Sequence, residues 1–301
     1  MRVLTHNMFG KNEWYNDHQI IKKLTVACLQ ECGDYPPSYD FVKPLREDLQ
    51  YLTSGGKSAV YLRWTTDDDG KIHDNFRCSM CIVSNYRITR SHYLNPLKNA
   101  AFRRPVIGAT IKVGGEEVII FNMHAPASSQ AIDYIGEMLP RMKKIAESEG
   151  VSKWICGGDF NCDPEKVEGL FDAKDERVIR PDRATQIYSN LKDYFLVSGM
   201  AADALFEGPQ SGDRKDDGKP KMEEERDTVT MVAKHASIFD EKMKSGGSDH
   251  MPIILQVTRT PAPSRARATK RAAKAERPRS RSRYSDPERG ATRAGTSYRP
   301  D

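Results

Sequence analysis

Short apolar runs recur along the chain at residues 3–4, 25–29, 80–83, 106–111, 118–123, 154–156, 194–197 and 253–257, each bounded by turn-forming or charged residues. Runs this short read as buried strands, because a helix is usually longer and shows its apolar residues on one stripe only. So many strands cannot all cover their apolar faces within a single open sheet. The stable solution is two packed sheets with helices outside them. One helical pattern is clear: Ile132, Ile135, Leu139, Met142 and Ile145 recur at spacings of three and four across residues 128–149, with Ser128 placed as an N-cap and Gly150 as a stop. Pro140 should kink that helix, and a second helix is expected over residues 15–23. No repeat at a solenoid period is present. The expected class is α/β (α+β), a two-sheet sandwich flanked by helices.

Charge divides the chain into a body and a tail. Residues 258–301 hold 13 Lys or Arg against 4 acids, a balance of 13 − 4 = +9, and almost no large aliphatic side chains. The whole chain carries +5, so residues 1–257 stand at +5 − 9 = −4. A segment of that composition buries too little apolar surface to offset the entropy of ordering, so the tail is expected to be disordered. Its basic blocks suit a polyanion tether, a nuclear-import signal read by an import receptor, or a solvated tail without a role. Residues 207–247, around GDRKDDGKPKMEEER, read as a long charged surface loop within the body.

The opening MRVLTHNMFG alternates like a strand and has no apolar h-region, so no secretory signal is expected. No window of about 18 apolar residues exists, so no membrane span is expected either. The protein is expected in the cytoplasm or nucleus, or delivered by a route that needs no signal. Six cysteines in such a chain read as reduced thiols. Cys78 and Cys81 form a C-x-x-C, yet on a strand the positions i and i+3 face opposite sides, which argues against shared metal or redox use.

The strands end on polar residues of a particular kind. Asn7 follows the first run, Glu31 the second and His124 the run at 118–123; Asp159 and Asn161 follow 154–156 in the stretch GGDFNCDP. Asp193 precedes 194–197, and Asp249 and His250 precede the last run. Taken singly, each also reads as a turn or cap residue. Taken jointly, they look like a site, because a sheet fixes the residues at its strand ends while the adjoining loops leave access. Asp159 and Asn161, two residues apart on an extended segment, share a face and can act on one point.

The segments THNMFG, LQECG, NMHAP, GGDFNCDP, LKDYFLVSG and SDHMPI, in this order, resemble the motifs of the endonuclease/exonuclease/phosphatase superfamily, which includes deoxyribonuclease I and apurinic/apyrimidinic endonuclease. The resemblance covers residues 1–257. RRPVIG at 103–108 and ATQIYSNLKDY at 184–194 are similar to the catalytic subunit of cytolethal distending toxin, a deoxyribonuclease I-like member, and HAPASSQAIDYI looks like the deoxyribonuclease I segment after its catalytic histidine. The resemblance implies a four-layer sandwich and a Mg²⁺-dependent phosphodiesterase, with Mn²⁺ or Ca²⁺ as further candidate ions. The chain departs from the toxin in three ways: it shows no secretion signal, it carries the basic tail, and it inserts the charged loop before Ser248.

Phosphodiester hydrolysis needs a positioned water, an acceptor for its proton, and positive charge where the phosphorus oxygens turn negative. Mg²⁺ prefers hard oxygen ligands and takes one or two carboxylates while keeping several waters. The resemblance makes Glu31 the first metal ligand, with Asn7 orienting it or joining the shell and Asp249 a second candidate carboxylate. Asp159 would orient the water or share the metal, and Asn161 would donate its amide to the scissile phosphate. His250 suits the general acid or base and Asp193 its orienting carboxylate. His124 would hydrogen-bond a non-bridging or leaving oxygen, its own acidic partner lying among Asp67, Asp68, Asp69 and Asp74. Arg104 or Arg103 would bind phosphate through the guanidinium fork.

DNA is the leading substrate. A phosphoinositide or another small phosphoester is the alternative on the same fold, and an inactive nucleic-acid-binding module tethered by the tail is the alternative of another class. The acidic body works against nonspecific duplex binding, while Arg103, Arg104 and the tail restore positive charge. A silent module would have no use for histidines and carboxylates at every expected position.

Overall fold

Each of the expected apolar runs becomes a strand or part of one. The computed structural model describes residues 1–10, 24–33, 40–44, 49–54, 56–63, 78–95, 104–127, 129–171, 176–182, 185, 190–198, 228–235 and 250–260, all within the unit Met1–Pro261. One sheet has eight strands: β1 (Arg2–Asn7), β2 (Val26–Gln30), β3 (Asp40–Pro44), β4 (Leu49–Ser54), β5 (Lys57–Arg63), β6 (Ser79–Ser84), β13 (Thr228–His235) and β14 (Ile253–Thr260). The other has six: β7 (Ile88–Leu94), β8 (Val106–Val113), β9 (Glu116–His124), β10 (Trp154–Asp159), β11 (Glu176–Ile179) and β12 (Asp193–Ser198). Their orders are β13-β14-β1-β2-β6-β5-β4-β3 and β11-β12-β10-β9-β8-β7. In the centre of each sheet two strands run parallel, β1 with β2 and β9 with β10, and the remaining pairs are antiparallel.

Strand periodicity sorts the apolar residues into layers. Val3, Val26 and Cys28 join Ile107, Ile155 and Phe195 in a core shared by both sheets. Their neighbours Leu4, Ala27 and Leu29 face the opposite way and pack with Leu52, Tyr61 and Cys81 on the outer side of the eight-stranded sheet. Both faces of the central strands are buried, which is why those strands read as continuous apolar runs. The outer face of the six-stranded sheet lies under helix α1 (Ala131–Ser148), whose Tyr134, Ile135, Met138, Leu139 and Met142 cover Phe121, Met123, Trp154 and Leu196. The short helix α2 (Pro164–Glu168) adds Val167 to the same layer. The two-sheet sandwich with flanking helices is therefore the observed architecture.

A polar bridge crosses the shared core. The Gln30 amide donates to Thr5 Oγ1 at 3.2 Å and to Asn122 Oδ1 at 2.6 Å, and the Asn122 amide donates to the carbonyls of Leu29 at 2.8 Å and Cys81 at 2.9 Å. All three side chains are buried. Such bonds are directional and their groups are costly to bury unpaired, so they pin the sliding of one sheet on the other.

Several expectations change. α1 begins at Ala131 with Gln130 as its N-cap and no side-chain capping bond, and Ser128 lies outside the described residues. The helix continues through Pro140. Gly150 does stop it, at φ +65° with its N–H donating to the carbonyl of Glu147. The helix expected over 15–23 lies outside the described residues, and with it the fourth layer. Strands β3, β4, β7 and β11 were not legible as apolar runs, and β5 was passed over although its Ala59-Val60-Tyr61-Leu62 forms one. β7 shows why: four polar residues, Thr89 to His92, separate Ile88 from Tyr93 and Leu94. β13 falls inside the stretch read as a charged loop, and β14 runs to Thr260, three residues past the boundary expected at 257. Cys78 packs in the core between the sheets and Cys81 on the outer face, the opposite sides that the i, i+3 argument expects, and all six cysteines are buried. Among the described residues no helix is long and apolar enough to cross a membrane.

Candidate active site

The candidate side chains gather at one end of the two sheets because strand direction delivers them there. Asn7, His124 and Asp159 close β1, β9 and β10, and Glu31 follows β2. β8, β12 and β14 run antiparallel to these strands, so Arg104, Asp193 and His250, at or before their starts, arrive at the same end. Asp159 pairs in register with His124 on one side and Asp193 on the other. Side chains of register partners emerge on the same face, so these three converge.

The glycine pair before Asp159 has a steric cause. A Cβ on Gly158 would stand 2.3 Å from the carbonyl oxygen of Met123, and one on Gly157 would stand 3.0 Å from the Phe195 ring and 3.2 Å from Thr5 Cβ. β10 can lie this close to β9 and the facing sheet only without side chains at these positions. Beyond the strands the chain turns sharply. Phe9, Glu31 and Asn161 are the non-glycine residues with positive φ among those described, at 53°, 47° and 51°. That conformation costs about 1–3 kcal/mol per residue, and here it is confined to the loops that carry Asn7, Glu31 and Asp159.

Asp159 Oδ2 is the hub. Asn7 Nδ2 donates to it at 2.9 Å, and the Nε2 atoms of His124 and His250 each lie 3.7 Å away. Asn7 Nδ2 also reaches Glu31 Oε1 at 3.4 Å, which is itself 3.7 Å from His124 Nε2. The Phe9 N–H donates to Asn7 Oδ1 at 3.0 Å, which fixes the orientation of the amide: its oxygen faces the backbone and its nitrogen faces the carboxylates. Asn7 therefore orients the two acids with N–H groups. The other Asp159 oxygen accepts from the Asn161 N–H at 3.0 Å.

On the far side of the hub, His250 Nδ1 lies 2.8 Å from Asp193 Oδ2. Asp193 is fully buried, and its Oδ1 has no hydrogen-bond partner among the described residues. His6 Nε2 pairs with the His250 carbonyl at 3.1 Å. Arg104 and Asn161 converge on one acceptor, the Ala125 carbonyl, at 2.8 and 2.9 Å. The carbonyl of Arg104 in turn accepts from Tyr134 OH at 2.9 Å.

Burial dominates the electrostatics. It pushes the proton affinity of Asp159 up, the Asp193 carboxylate adds to the rise, and His250, Asn7 and the Asn161 N–H oppose it. Burial lowers the Arg104 pKa, against the pull of Asp159 and Glu31. His6 is pushed down to about 4, again mainly by burial. Three buried carboxylates, Glu31, Asp159 and Asp193, thus crowd a space beside the Arg104 guanidinium and the two imidazoles. Carboxylates held together in this way fit a hard divalent cation. Ligand atoms of Asp159, Asp193 and His250 all lie within 4.8 Å of one another, although Asp193 Oδ2 is already engaged with the His250 ring.

Asn7, Glu31, Arg104, His124, Asp159, Asn161, Asp193 and His250 are thus brought together. Asp249, Arg103 and the acids at 67, 68, 69 and 74 lie outside the described residues. Sequence reasoning missed His6, Tyr134 and Thr185, which hydrogen-bond the backbone of His250, Arg104 and Asp193. A lone buried His, Tyr or Thr carries no spacing signal that would mark it.

No family model matches the chain, and no curated protein matches it by sequence. Solved structures do match. CdtB, the biologically active subunit of cytolethal distending toxin, aligns with a TM-score of 0.58 at 19% identity, over 85% of this chain and 96% of that one. The cytolethal distending toxin of Actinobacillus actinomycetemcomitans gives 0.58 at 17% identity, over 84% and 97%. An endonuclease/exonuclease/phosphatase family protein from Leptotrichia buccalis gives 0.52 at 13% identity, over 86% and 99%. The fold is the two-sheet sandwich of these structures. At these identities the likeness speaks for the deoxyribonuclease I-like sandwich, and the chemistry must be argued from the side chains.

Proposed function

We propose that the chain is a metal-dependent phosphodiesterase that hydrolyses DNA endonucleolytically. The observation that carries this reading is the hub: one carboxylate oxygen, on Asp159, with two imidazole Nε2 atoms each 3.7 Å away and the Asn7 amide at 2.9 Å. That spacing is too long for direct hydrogen bonds from the rings and leaves them directed at a shared space beside the carboxylate. Asp193, accepting from Nδ1, holds the His250 ring in the tautomer that offers the Nε2 lone pair. His250 then takes a proton at Nε2 from the attacking water, while Asp159 orients that water. The protonated ring then passes its proton to solvent, and the departing oxygen takes a proton from water. His124 Nε2 and the Arg104 guanidinium are placed to meet the phosphate oxygens as charge develops there. Asn161, clamped to the Ala125 carbonyl, offers its remaining amide hydrogen to the same group.

A hard divalent ion, Mg²⁺ or alternatively Mn²⁺ or Ca²⁺, would be held by Glu31 and Asp159 with Asn7 ordering both, and would supply positive charge beside the phosphate. Asp249, next in the chain to His250, remains the second candidate carboxylate. DNA is favoured as substrate by the sequence segments similar to deoxyribonuclease I and the toxin subunit, and by the basic stretch after Thr260, whose Lys and Arg would bind phosphates as a tether. Purified protein incubated with Mg²⁺ and supercoiled plasmid should produce nicked circles, with inositol phospholipids releasing little phosphate under the same conditions. Phosphate release from the lipid with the plasmid left intact would replace this reading with a phosphatase.

A further inference from the structure

The backbones that carry Asp193 and His250 are joined through Thr185. Thr185 is fully buried. Its Oγ1 accepts from the backbone N–H of Lys192 at 2.9 Å and of Asp193 at 3.0 Å, and the hydroxyl donates to the carbonyl of Asn190 at 3.4 Å. Its backbone N–H donates to the same Asn190 carbonyl at 2.9 Å, and its own carbonyl accepts from the N–H of Met251 at 2.7 Å. One residue therefore grips the backbone of Asp193 and the residue directly after His250.

The geometry points to Thr185 as the positioning residue for the Asp193–His250 pair. Asp193 and His250 come from β12 and the approach to β14, strands that are not neighbours in either sheet. No strand ladder sets the separation of Asp193 Oδ2 and His250 Nδ1, which is 2.8 Å. Thr185 spans that gap, with its hydroxyl on one partner's backbone and its carbonyl beside the other's. The hydroxyl's two acceptor sites and one donor are all engaged, so it has nothing left to offer a substrate and acts only through the groups it holds. Without it, the buried N–H of Asp193 and the part-buried N–H of Lys192 lose their acceptor and Asp193 is released to shift. A displacement of about 1 Å in such a pair can cost about 10²-fold in rate.

The inference rests on the phosphodiesterase reading, and its test separates the two. Plasmid nicking with saturating Mg²⁺ is measured for wild type, Thr185→Val, Thr185→Ser, Thr185→Cys, His250→Ala and Thr185→Val/His250→Ala. Valine matches the shape without the hydroxyl. Thr185→Val should lose about 10- to 100-fold in kcat with KM within about twofold. Serine, which keeps the hydroxyl, should recover most of the rate, and cysteine, a weak acceptor, should fall between the two. The double variant should be no slower than His250→Ala, because a positioning residue has nothing to position once the ring is gone. If Thr185→Val does not fold, the serine and cysteine variants decide alone: a folded serine variant as slow as the cysteine one overturns the proposal. A folded valine variant at wild-type rate, or one that slows His250→Ala further, overturns the inference while leaving the phosphodiesterase reading in place. A fully active His250→Ala overturns both.

Discussion

The two halves of the site are built to different tolerances. On one side Asp193 and His250 meet at 2.8 Å. On the other, Glu31, His124 and Asp159 stand apart: Glu31 Oε1 is 3.4 Å from the Asn7 amide and 3.7 Å from His124 Nε2, which is a further 3.7 Å from Asp159 Oδ2. A proton-transfer pair needs its hydrogen bond in place beforehand, because tautomer and ring angle must be set before the substrate arrives. A cation site needs the reverse, carboxylates near one another with space between them. On the proposed function the tight half would serve proton transfer and the open half the ion, with Asp159 shared.

The largest expected effect falls on the open half. Glu31→Gln keeps the shape and removes the charge, and should lower hydrolysis by about 10³-fold or more. Its thermal midpoint should stay level or rise, since one of three crowded carboxylates is relieved. Chelation of divalent ions should reproduce the loss in wild type, and robust hydrolysis in a chelator would remove the cation from the account. The tight half comes next. His250→Ala and Asp193→Asn should each cost about 10²- to 10⁴-fold, and the double variant should be scarcely slower than His250→Ala. Multiplicative losses in the double variant would show that the two side chains do not act as a unit.

Smaller effects address the seam between the halves. Gly158→Ala drives a methyl to within 2.3 Å of the Met123 carbonyl, where β10 and β9 carry Asp159 and His124 side by side. It should destabilise the fold by about 1–3 kcal/mol, read by denaturant unfolding. An unchanged midpoint would mean β10 can move away from β9 at little cost. The smallest effect lies beneath His250. His6, buried and lowered to about 4, stays neutral in the fold while the unfolded chain takes up a proton near pH 6.5. The unfolded state therefore binds more protons between those values. Stability from this group is complete above about pH 6.5 and lost as the pH falls toward 4, on the order of 1–3 kcal/mol. His6→Gln should flatten that part of the stability profile, and a slope that persists would place the acid sensitivity elsewhere.

The difference between the halves also marks what could be read from residue order. Asn7, Glu31, His124, Asp159, Asp193 and His250 were legible because each ends or begins an apolar run, and runs buried on both faces are conspicuous. β4 and β7 were not, since polar residues break up their apolar ones, whereas Ala59-Val60-Tyr61-Leu62 in β5 is an apolar run that carries no candidate residue at either end. β13 was hidden by the charge of the segment around it. Thr185, Tyr134 and His6 escaped for another reason: their part is fixed by which backbone groups lie beside them in space, and spacing along the chain holds no record of that. Gln30 and Asn122 stood in plain view inside LQECG and NMHAP. Their bonding across the shared core, one residue before Glu31 and two before His124, emerges only when the sheets face each other.

The division of labour is tested most directly by Mn²⁺ binding, followed by electron paramagnetic resonance titration of wild type, Glu31→Gln and His250→Ala in the absence of substrate. The open half as cation site predicts saturable binding in wild type, retention of that affinity within about threefold in His250→Ala, and loss of about 10-fold or more in Glu31→Gln. Binding that survives Glu31→Gln and disappears with His250→Ala would place the ion among Asp159, Asp193 and His250 and contradict the assignment of the two halves.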